Sequence, residues 1–428
     1  LKLFDYYSDK LIKNIDIIGI VAIKIVQWSL DRIRTIYEKD IDINIKIINK
    51  FNKYYENCNI HDFEYTKKIY YNDFNRNIED DFDIDVNPIA SGSIGQVYKG
   101  WYKNKLNNNE KIKVAIKVVH PDVKSKIWLP KMFLLLFDYM SNKFNFFNKY
   151  RSIININHFF KNLENQINLI FESKNMVKMK KLYKNNLLII VPKLYCNSSN
   201  IIIMSYEDGT YYEDLNLSEY QKYKIIGTLR LFLNSSVIVK NFVHTDLHNG
   251  NWKVRKHISK NIFHIVLLDF GLCSYMENAD DINIFHECIE NNDIIKLSQN
   301  LLKYVKIPYG KHITTTSKLI KYFNDKTLTA NITMKYMNEN NLLIEYNFFN
   351  IIITSLICRN HFKKYLIKDS KDDNSLNDYS YIIPLITICK TYNCFNEYCK
   401  ILEKKLKNVK NLYNFNNENI INIDNDSD

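Results

Sequence analysis

Glycine and proline are scarce in this chain: nine and six among 428 residues, where average usage would give roughly 30 glycines. The surplus lies in Asn, Lys, Ile, Tyr and Phe, whose codons are AT-rich. The deficit therefore speaks of genome composition, and it makes each remaining glycine informative. The eight cysteines include no C-x-x-C pair, which excludes the usual zinc and thiol-redox motifs. Cys389, Cys394 and Cys399 step by five and fit neither pattern. All eight are expected to be reduced, mostly buried thiols in a reducing compartment. No window of 18 apolar residues exists, which excludes a simple membrane-spanning helix. The stretch from Ile15 to Val26 comes closest, but Asp16 and Lys24 interrupt it. No signal peptide is visible. Because the chain opens at Leu1 without Met, a fragment is expected, with any targeting segment upstream. No repeat of fixed period is found. Charge is unbalanced, with 59 Lys and Arg against 47 Asp and Glu, a net +12. The lysines are scattered, however, and the densest run, Lys174 to Lys184, has the spacing of a solvated helical face. A nucleic-acid partner is disfavoured on that ground, and the oligomeric state is left open.

With 46% hydrophobic and 25% charged residues, the chain can fill a core. Residues 1–80 carry apolar positions at helical spacing and read as a helical extension. The pattern then changes. Pro88 marks a turn, 96–101 alternates as a strand, 104–110 reads as a polar hairpin loop, and 113–119 is a β-branched run. Helices follow over 123–185, and 187–191 and 200–204 look like further strands. Helices return over 206–240, short strands lie near 244–254 and 262–268, and the remainder to about 412 reads as helical. Residues 414–428 are Asn/Asp-rich and expected to be disordered. The expected architecture is α+β and bilobal, kinase-like. It has an extension over 1–80, a small antiparallel sheet in an N-lobe over 81–207 and a mainly helical C-lobe over 208–413.

Four motifs carry chemistry. Ala90-Ser91-Gly92-Ser93-Ile94-Gly95-Gln96-Val97 matches two glycines and the valine of the kinase pattern G-x-G-x-x-G-x-V. Small residues there let backbone N–H groups approach phosphates. An ordinary hairpin turn would have the same glycine spacing. Val114-Ala115-Ile116-Lys117 follows 22 residues after Gly95 and matches the V-A-I-K strand. A lysine on an interior strand needs an anionic partner, whereas on an edge strand its head could reach water. His244-Thr245-Asp246-Leu247-His248-Asn249-Gly250-Asn251 has the D-x-x-x-x-N spacing of a kinase catalytic loop. Asp246 would accept a proton or orient the attacking group, and Asn251 would hold magnesium. Leu267-Leu268-Asp269-Phe270-Gly271 ends an apolar strand in D-F-G, with Asp269 as the expected main Mg2+ ligand. Each motif alone is weak, but the ordered set is not. Six of the nine glycines (Gly92, Gly95, Gly100, Gly209, Gly250 and Gly271) fall in or beside these motifs. That concentration suggests positive φ or close backbone approach. His248 could meet a phosphate or merely hold its loop, and His264 reads as a satisfied core residue.

The flanking residues resemble the UbiB family of AarF-domain atypical kinases. The resemblance rests on Asn87-Pro88-Ile89-Ala90 leading into the loop, His120-Pro121 after the lysine strand, and the D-x-H-x-G-N form of Asp246, His248, Gly250 and Asn251. Ile23-Lys24-Ile25-Val26-Gln27-Trp28 also looks like the family's K-x-G-Q helix. It implies that Lys24 and Gln27 lie on a helix covering the cleft and that Glu172 pairs with Lys117. Catalysis would then fall to Lys117, Asp246 and Glu172, metal binding to Asn251 and Asp269. The nucleotide would meet Ala90, Ser91, Gly92, Ser93, Gly95, Val97, Lys117 and Met204. Implied cofactors are ATP and Mg2+, and the implied activity is that of a kinase or ATPase supporting prenyl-lipid, coenzyme Q-type metabolism. A nucleotide-binding scaffold without turnover is the alternative. The family also implies association with lipid or a membrane surface, mitochondrial or otherwise. Three departures stand out: Val26 replaces the glycine of K-x-G-Q, Gly92 and Gly95 replace loop alanines, and Gln166 and Asn168 replace an E-x-D pair. A small-molecule kinase of the aminoglycoside or choline type shares the catalytic loop but lacks the Lys24–Gln27 helix and His120-Pro121.

Overall fold

The computed structural model describes residues 2–27, 50–51, 54, 58–103, 112–143, 156–257, 262–278, 280–290, 293–306, 317–322, 342–345, 347–348, 350–352, 354 and 382–413. The expected loop at 104–110 and tail at 414–428 lie outside the described residues. The chain starts with α1 (Lys2–Ile18). Gly19, at φ +80°, breaks it, and residues 20–27 are again helical. Then come α2 (Phe63–Phe74), capped by the Asp62 side chain on the Glu64 amide, and the short α3 (Ile78–Asp81).

The N-lobe sheet uses β1 (Phe82–Ile84), β2 (Ala90–Ser91), β3 (Gly95–Tyr102) and β4 (Ile112–Val119). After α4 (Ser125–Lys143), α5 (Ile156–Ile167), α6 (Leu169–Leu182) and β5 (Ile189–Ile190), it adds β6 (Leu194–Asn197) and β7 (Ile201–Ser205). Strand order is β1-β3-β4-β7-β6, with β2 on β3. Every pairing is antiparallel. Because side chains alternate along a strand, this sheet has two different faces. Tyr98, Val114, Ile116, Val118, Ile201 and Ile203 pack with Tyr70, Ile78 and Phe82 in a small core under α2. The alternate positions, Lys117, Val119 and Ile202 among them, face the other way. Val119 and Ile202 there join the large core shared with the C-lobe.

The C-lobe is built on α7 (Glu219–Ile238), which opens with a full capping box of Ser218 and Gln221. It continues through β8 (Val243–His244), β9 (Trp252–Lys256), β10 (Phe263–Leu267) and β11 (Cys273–Ser274). Then follow α8 (Asp280–Glu290), α9 (Ile294–Lys303), β12 (Val305–Lys306), β13 (Leu343–Ile344), α10 (Ile382–Tyr392) and α11 (Asn396–Tyr413). Three features differ from the sequence reading. The strand at 187–191 does not join the N-lobe sheet: β5 pairs in parallel with β10. β6 was not expected. The β12–β13 ladder sits in a stretch read as helical; a two-residue strand leaves no periodicity to detect.

Helices beyond residue 301 complete the C-lobe. Leu385 and Ile388 of α10 pack over Gly227, where an added methyl would meet Ile388 at 3.1 Å. Phe348 stacks on Tyr304 at 4.4 Å between centroids. The Thr354 hydroxyl shares its one proton between the Asn350 carbonyl at 2.8 Å and the Thr245 carbonyl at 3.0 Å.

Candidate active site

Lys117 stands on the cleft face of β4, 6% exposed, directly across from Val97 on β3 and Ile202 on β7. A buried ammonium must be paired, and here it is paired twice. Its Nζ donates to both oxygens of Glu172 at 2.8 Å and to Oδ2 of Asp269 at 2.9 Å. Glu172 comes from the first turn of α6 and Asp269 from the loop after β10. Residues 55 and 152 positions away in sequence thus meet at one atom. One cation cannot neutralise two carboxylates. Burial and the nearby charge of Asp269 push the Glu172 carboxyl up to about 7, against the pull of Lys117. Asp269 is only partly buried, and Lys117, the Gly271 amide and Lys24 hold its carboxyl well below the ordinary range against the cost of its desolvation. Lys117 is held cationic by the same two carboxylates despite its burial.

Asp269 has a left-handed backbone, φ +45°, uncommon for a non-glycine residue. The turn is pinned on both sides: Gly271 N–H donates to Asp269 Oδ1 at 2.9 Å, and Asn175 Nδ2 donates to the Phe270 carbonyl at 2.9 Å. Asn175 has no motif signal; only its place one turn after Glu172 on α6 could have drawn attention to it.

The catalytic-loop segment is held by its backbone. Leu268 N–H donates to the Asn251 carbonyl at 2.8 Å, and Asn251 Nδ2 donates to the Asp246 carbonyl at 2.8 Å. With its amide nitrogen so engaged, the Asn251 side chain presents its oxygen elsewhere. His244 is fully buried, and burial lowers its pKa. Its Nδ1 accepts from the Asp246 amide and its Nε2 donates to the Leu268 carbonyl at 3.0 Å, so the imidazole is neutral and locks the two loops together. The His248 Nδ1 accepts from Gly250 N–H at 3.2 Å, a bond that holds the loop. His264 donates from Nδ1 to the Leu187 carbonyl at 2.8 Å.

The glycine loop lies between β2 and β3. Gly92 N–H donates to the Gly95 carbonyl at 3.0 Å. Ala90 pairs with Val97 and Ser91 with Gln96, which leaves Gly92 and Ser93 at the tip. Positive φ does not explain the motif glycines, since among the described glycines Gly19 alone has φ in the left-handed range; close approach explains Gly95, Gly100, Gly209 and Gly271. A methyl on Gly95 would collide with the Val118 carbonyl oxygen, while one on Gly92 would meet nothing nearer than 3.8 Å. Met204 sits across from Ala115, beside the cleft face. Lys24 lies close enough to lower the Asp269 pKa. Gln27 instead bonds within the extension, donating to the Tyr54 carbonyl at 2.6 Å. Val26 fills a small apolar cluster with Ile15, Phe51 and Tyr54. Gln166 approaches Gly271, 3.6 Å from where its Cβ would stand, and Asn168 caps α6 on the Ile170 amide.

Among the described residues no three His, Cys, Asp or Glu side chains converge as a metal-binding cluster. The oxygen donors of Asp269 and Asn251 nevertheless suit Mg2+. That ion is ordinarily held by one or two carboxylates together with waters and substrate phosphates. The Asp269 side chain keeps 43% of its surface open.

The family model of the ABC1 atypical kinase-like domain matches residues 21–301. The chain belongs to this family. Among relatives of the ABC1 chain is the protein named "Probable serine/threonine-protein kinase abkC" of Dictyostelium discoideum, 30% identical over 270 residues, 59% of this chain and 37% of the relative. "AarF domain-containing kinase 1" of Drosophila melanogaster is 30% identical, covering 48% of this chain and 39% of that one. "Probable protein kinase UbiB" of Histophilus somni is 27% identical, covering 46% and 37%. The chain thus spans 37–39% of the length of these relatives.

Proposed function

We propose that this ABC1-family chain binds Mg-ATP and acts as a phosphotransferase or ATPase, with a small or lipid substrate of the prenyl-lipid, coenzyme Q type. The observation that carries the reading is the Lys117 ammonium held between Glu172 and Asp269 on the strand next to the glycine loop's own strand. Lys117 would meet phosphate oxygens, Glu172 would hold Lys117 in place, and Asp246 would orient or deprotonate the acceptor. Asp269 and Asn251 would hold the magnesium ion, which when bound would offset phosphate charge. The loop from Ala90 to Val97 and Met204 would enclose the nucleotide, and the helix carrying Lys24 and Gln27 would cover the cleft. The decisive experiment is thermal stabilisation by Mg-ATP and Mg-ADP of the parent and of Asp269→Asn. A ligand at 100 times its Kd adds about 2.7 kcal/mol. A metal-dependent shift in the parent that the variant loses is expected. No shift in a folded parent would leave a scaffold without nucleotide.

Association with a membrane surface has its own support. Trp128, Leu129, Met132, Phe133, Leu136 and Tyr139 of α4 are each more than half exposed, along one helical face. Lys124, Lys126, Lys131 and Lys143 flank them, the arrangement of an interfacial helix. Among the described residues no helix is long and apolar enough to cross a membrane. Co-sedimentation with anionic vesicles should fall sharply in Phe133→Glu; equal binding by the variant would remove this part of the reading.

A further inference from the structure

Behind the glycine loop, on the face of the sheet turned away from the cleft, lies a chain of neutral polar groups that no motif explains. Gln96 and Tyr98 project from β3 toward α2, both fully buried. Gln96 Nε2 donates to the Tyr98 hydroxyl, and its Oε1 accepts from the His61 amide at 2.9 Å. The Tyr98 hydroxyl lies 2.8 Å from Thr66 Oγ1, Thr66 Oγ1 3.0 Å from His61 Nε2, and His61 Nδ1 2.8 Å from His120 Nδ1. His120 Nε2 lies 3.0 Å from the Gly92 carbonyl oxygen.

The last link sets the direction of all the others. A carbonyl oxygen only accepts, so His120 must donate from Nε2. Burial lowers the pKa of both imidazoles, that of His61 to about 4, so each carries one proton. His120 Nδ1 is then an acceptor, and His61 must donate to it from Nδ1. That leaves His61 Nε2 to accept from Thr66, and Thr66 to accept from Tyr98, which accepts from Gln96. Each link in the series then runs in one sense; Gln96 Nε2 gives its second proton to the His61 carbonyl at 3.0 Å, and Ser91 Oγ lies 3.4 Å from His120 Nε2, farther than the Gly92 carbonyl.

The loop is fastened at its base by the buried Ile94 and by backbone bonds from Gly92 N–H to the Gly95 carbonyl and from His120 N–H to the Ile94 carbonyl, but the Gly92 side of its tip is open. A cavity of about 220 Å³ separates it from the helical residues 20–27, lined by Gly19, Ile23, His61, Gly92, Ser93 and His120 among others. Packing therefore does little to fix Gly92, and the hydrogen bond from His120 holds its carbonyl. We infer that His61 is a positioning residue for the glycine loop, fixing the orientation of His120 and through it the Gly92 carbonyl, and so the set of loop amides turned toward phosphate. The inference rests on the nucleotide reading above.

The test compares three substitutions in the full chain. His61→Asn places an amide N–H near Nδ1 and keeps the donor to His120; His61→Gln places its amide near Nε2 and loses that donor; His61→Ala loses both. Affinity for Mg-ATP, Mg-ADP and adenosine is measured by calorimetry, and exchange of the Gly92 amide by NMR without nucleotide. Expected is a loss of about tenfold for both nucleotides in His61→Ala and His61→Gln, the scale of one hydrogen bond. Adenosine should be unaffected and His61→Asn close to the parent, with faster Gly92 exchange in the Ala and Gln variants. Three outcomes overturn the inference: parental Mg-ATP affinity in His61→Ala, a parallel loss for adenosine, or equal losses in His61→Asn and His61→Gln. A parent that binds no nucleotide sinks the nucleotide reading instead, and unchanged Gly92 exchange would then sink the relay separately. Should His61→Ala fail to fold, the Asn and Gln pair decides alone.

Discussion

The two faces of the N-lobe sheet are held in opposite ways. The cleft face is fastened by charge: one ammonium, two carboxylates and a second lysine nearby. The back face is fastened by neutral groups whose order depends on which atom carries each proton. Charge is suited to a site whose ligands are anions and cations, because it leaves an unbalanced cluster that a ligand can complete. A neutral chain is suited to a support, because its groups satisfy one another and leave no net charge for a ligand to complete.

Removing the cation is the strongest way to break this contrast. Lys117→Met leaves the buried Glu172 beside the partly open Asp269 without their shared cation, and a loss of about 3 kcal/mol of stability is expected in chemical denaturation. The double variant with Glu172→Gln should recover part of it. Next in size is Gly95→Ala, whose methyl would strike the Val118 carbonyl between the faces; about 1–3 kcal/mol is expected. Gly92→Ala, with open space around it, should stay within about 0.5 kcal/mol.

Thr66→Val interrupts the neutral chain at a fully buried position and should cost about 1–3 kcal/mol by leaving polar atoms unsatisfied. Its effect should change little between pH 7 and 8, since burial lowers the pKa of both imidazoles below the ordinary value. The cleft face should respond to pH. The raised Glu172 pKa means that the folded state holds a proton that the unfolded state has released. Its contribution is therefore present below about 4.5 and lost as pH rises through about 7. Parent stability measured against Glu172→Gln should thus fall by about 1–3 kcal/mol across that window. Asp269, depressed, acts in the opposite sense and only below its ordinary range.

The contrast also explains what could be read in advance. Lys117, Asp246, Asn251 and Asp269 are legible because charged and oxygen-rich side chains at kinase spacing are rare by chance. The alternation of β3 and β4 and the helical periods of the extension are legible because they repeat. His61, Thr66, Gln96 and Tyr98 are common polar residues spread over 38 positions, and only the fold brings them into line. Gln96 and Tyr98, two apart on one strand, put polar groups into an apolar face, which is the one trace they leave in sequence. The glycines were legible as a concentration but not in their reason, since crowding by the neighbouring strand leaves no mark in a single chain's letters. β6 and the β12–β13 ladder were too short to carry a period.

The bond from Thr354 to the catalytic-loop carbonyl of Thr245 has a bearing on how the molecule folds. The matched family region ends at residue 301, yet Thr354 braces its catalytic loop, α10 covers α7 and Phe348 packs on Phe285 of α8. The cooperative unit is thus larger than the stretch recognised by kinship. A chain cut at 301 would expose the side of α7 now covered by α10 and release the catalytic loop at one end. The terminal helices thus belong to the same packed core as the lower lobe they cover.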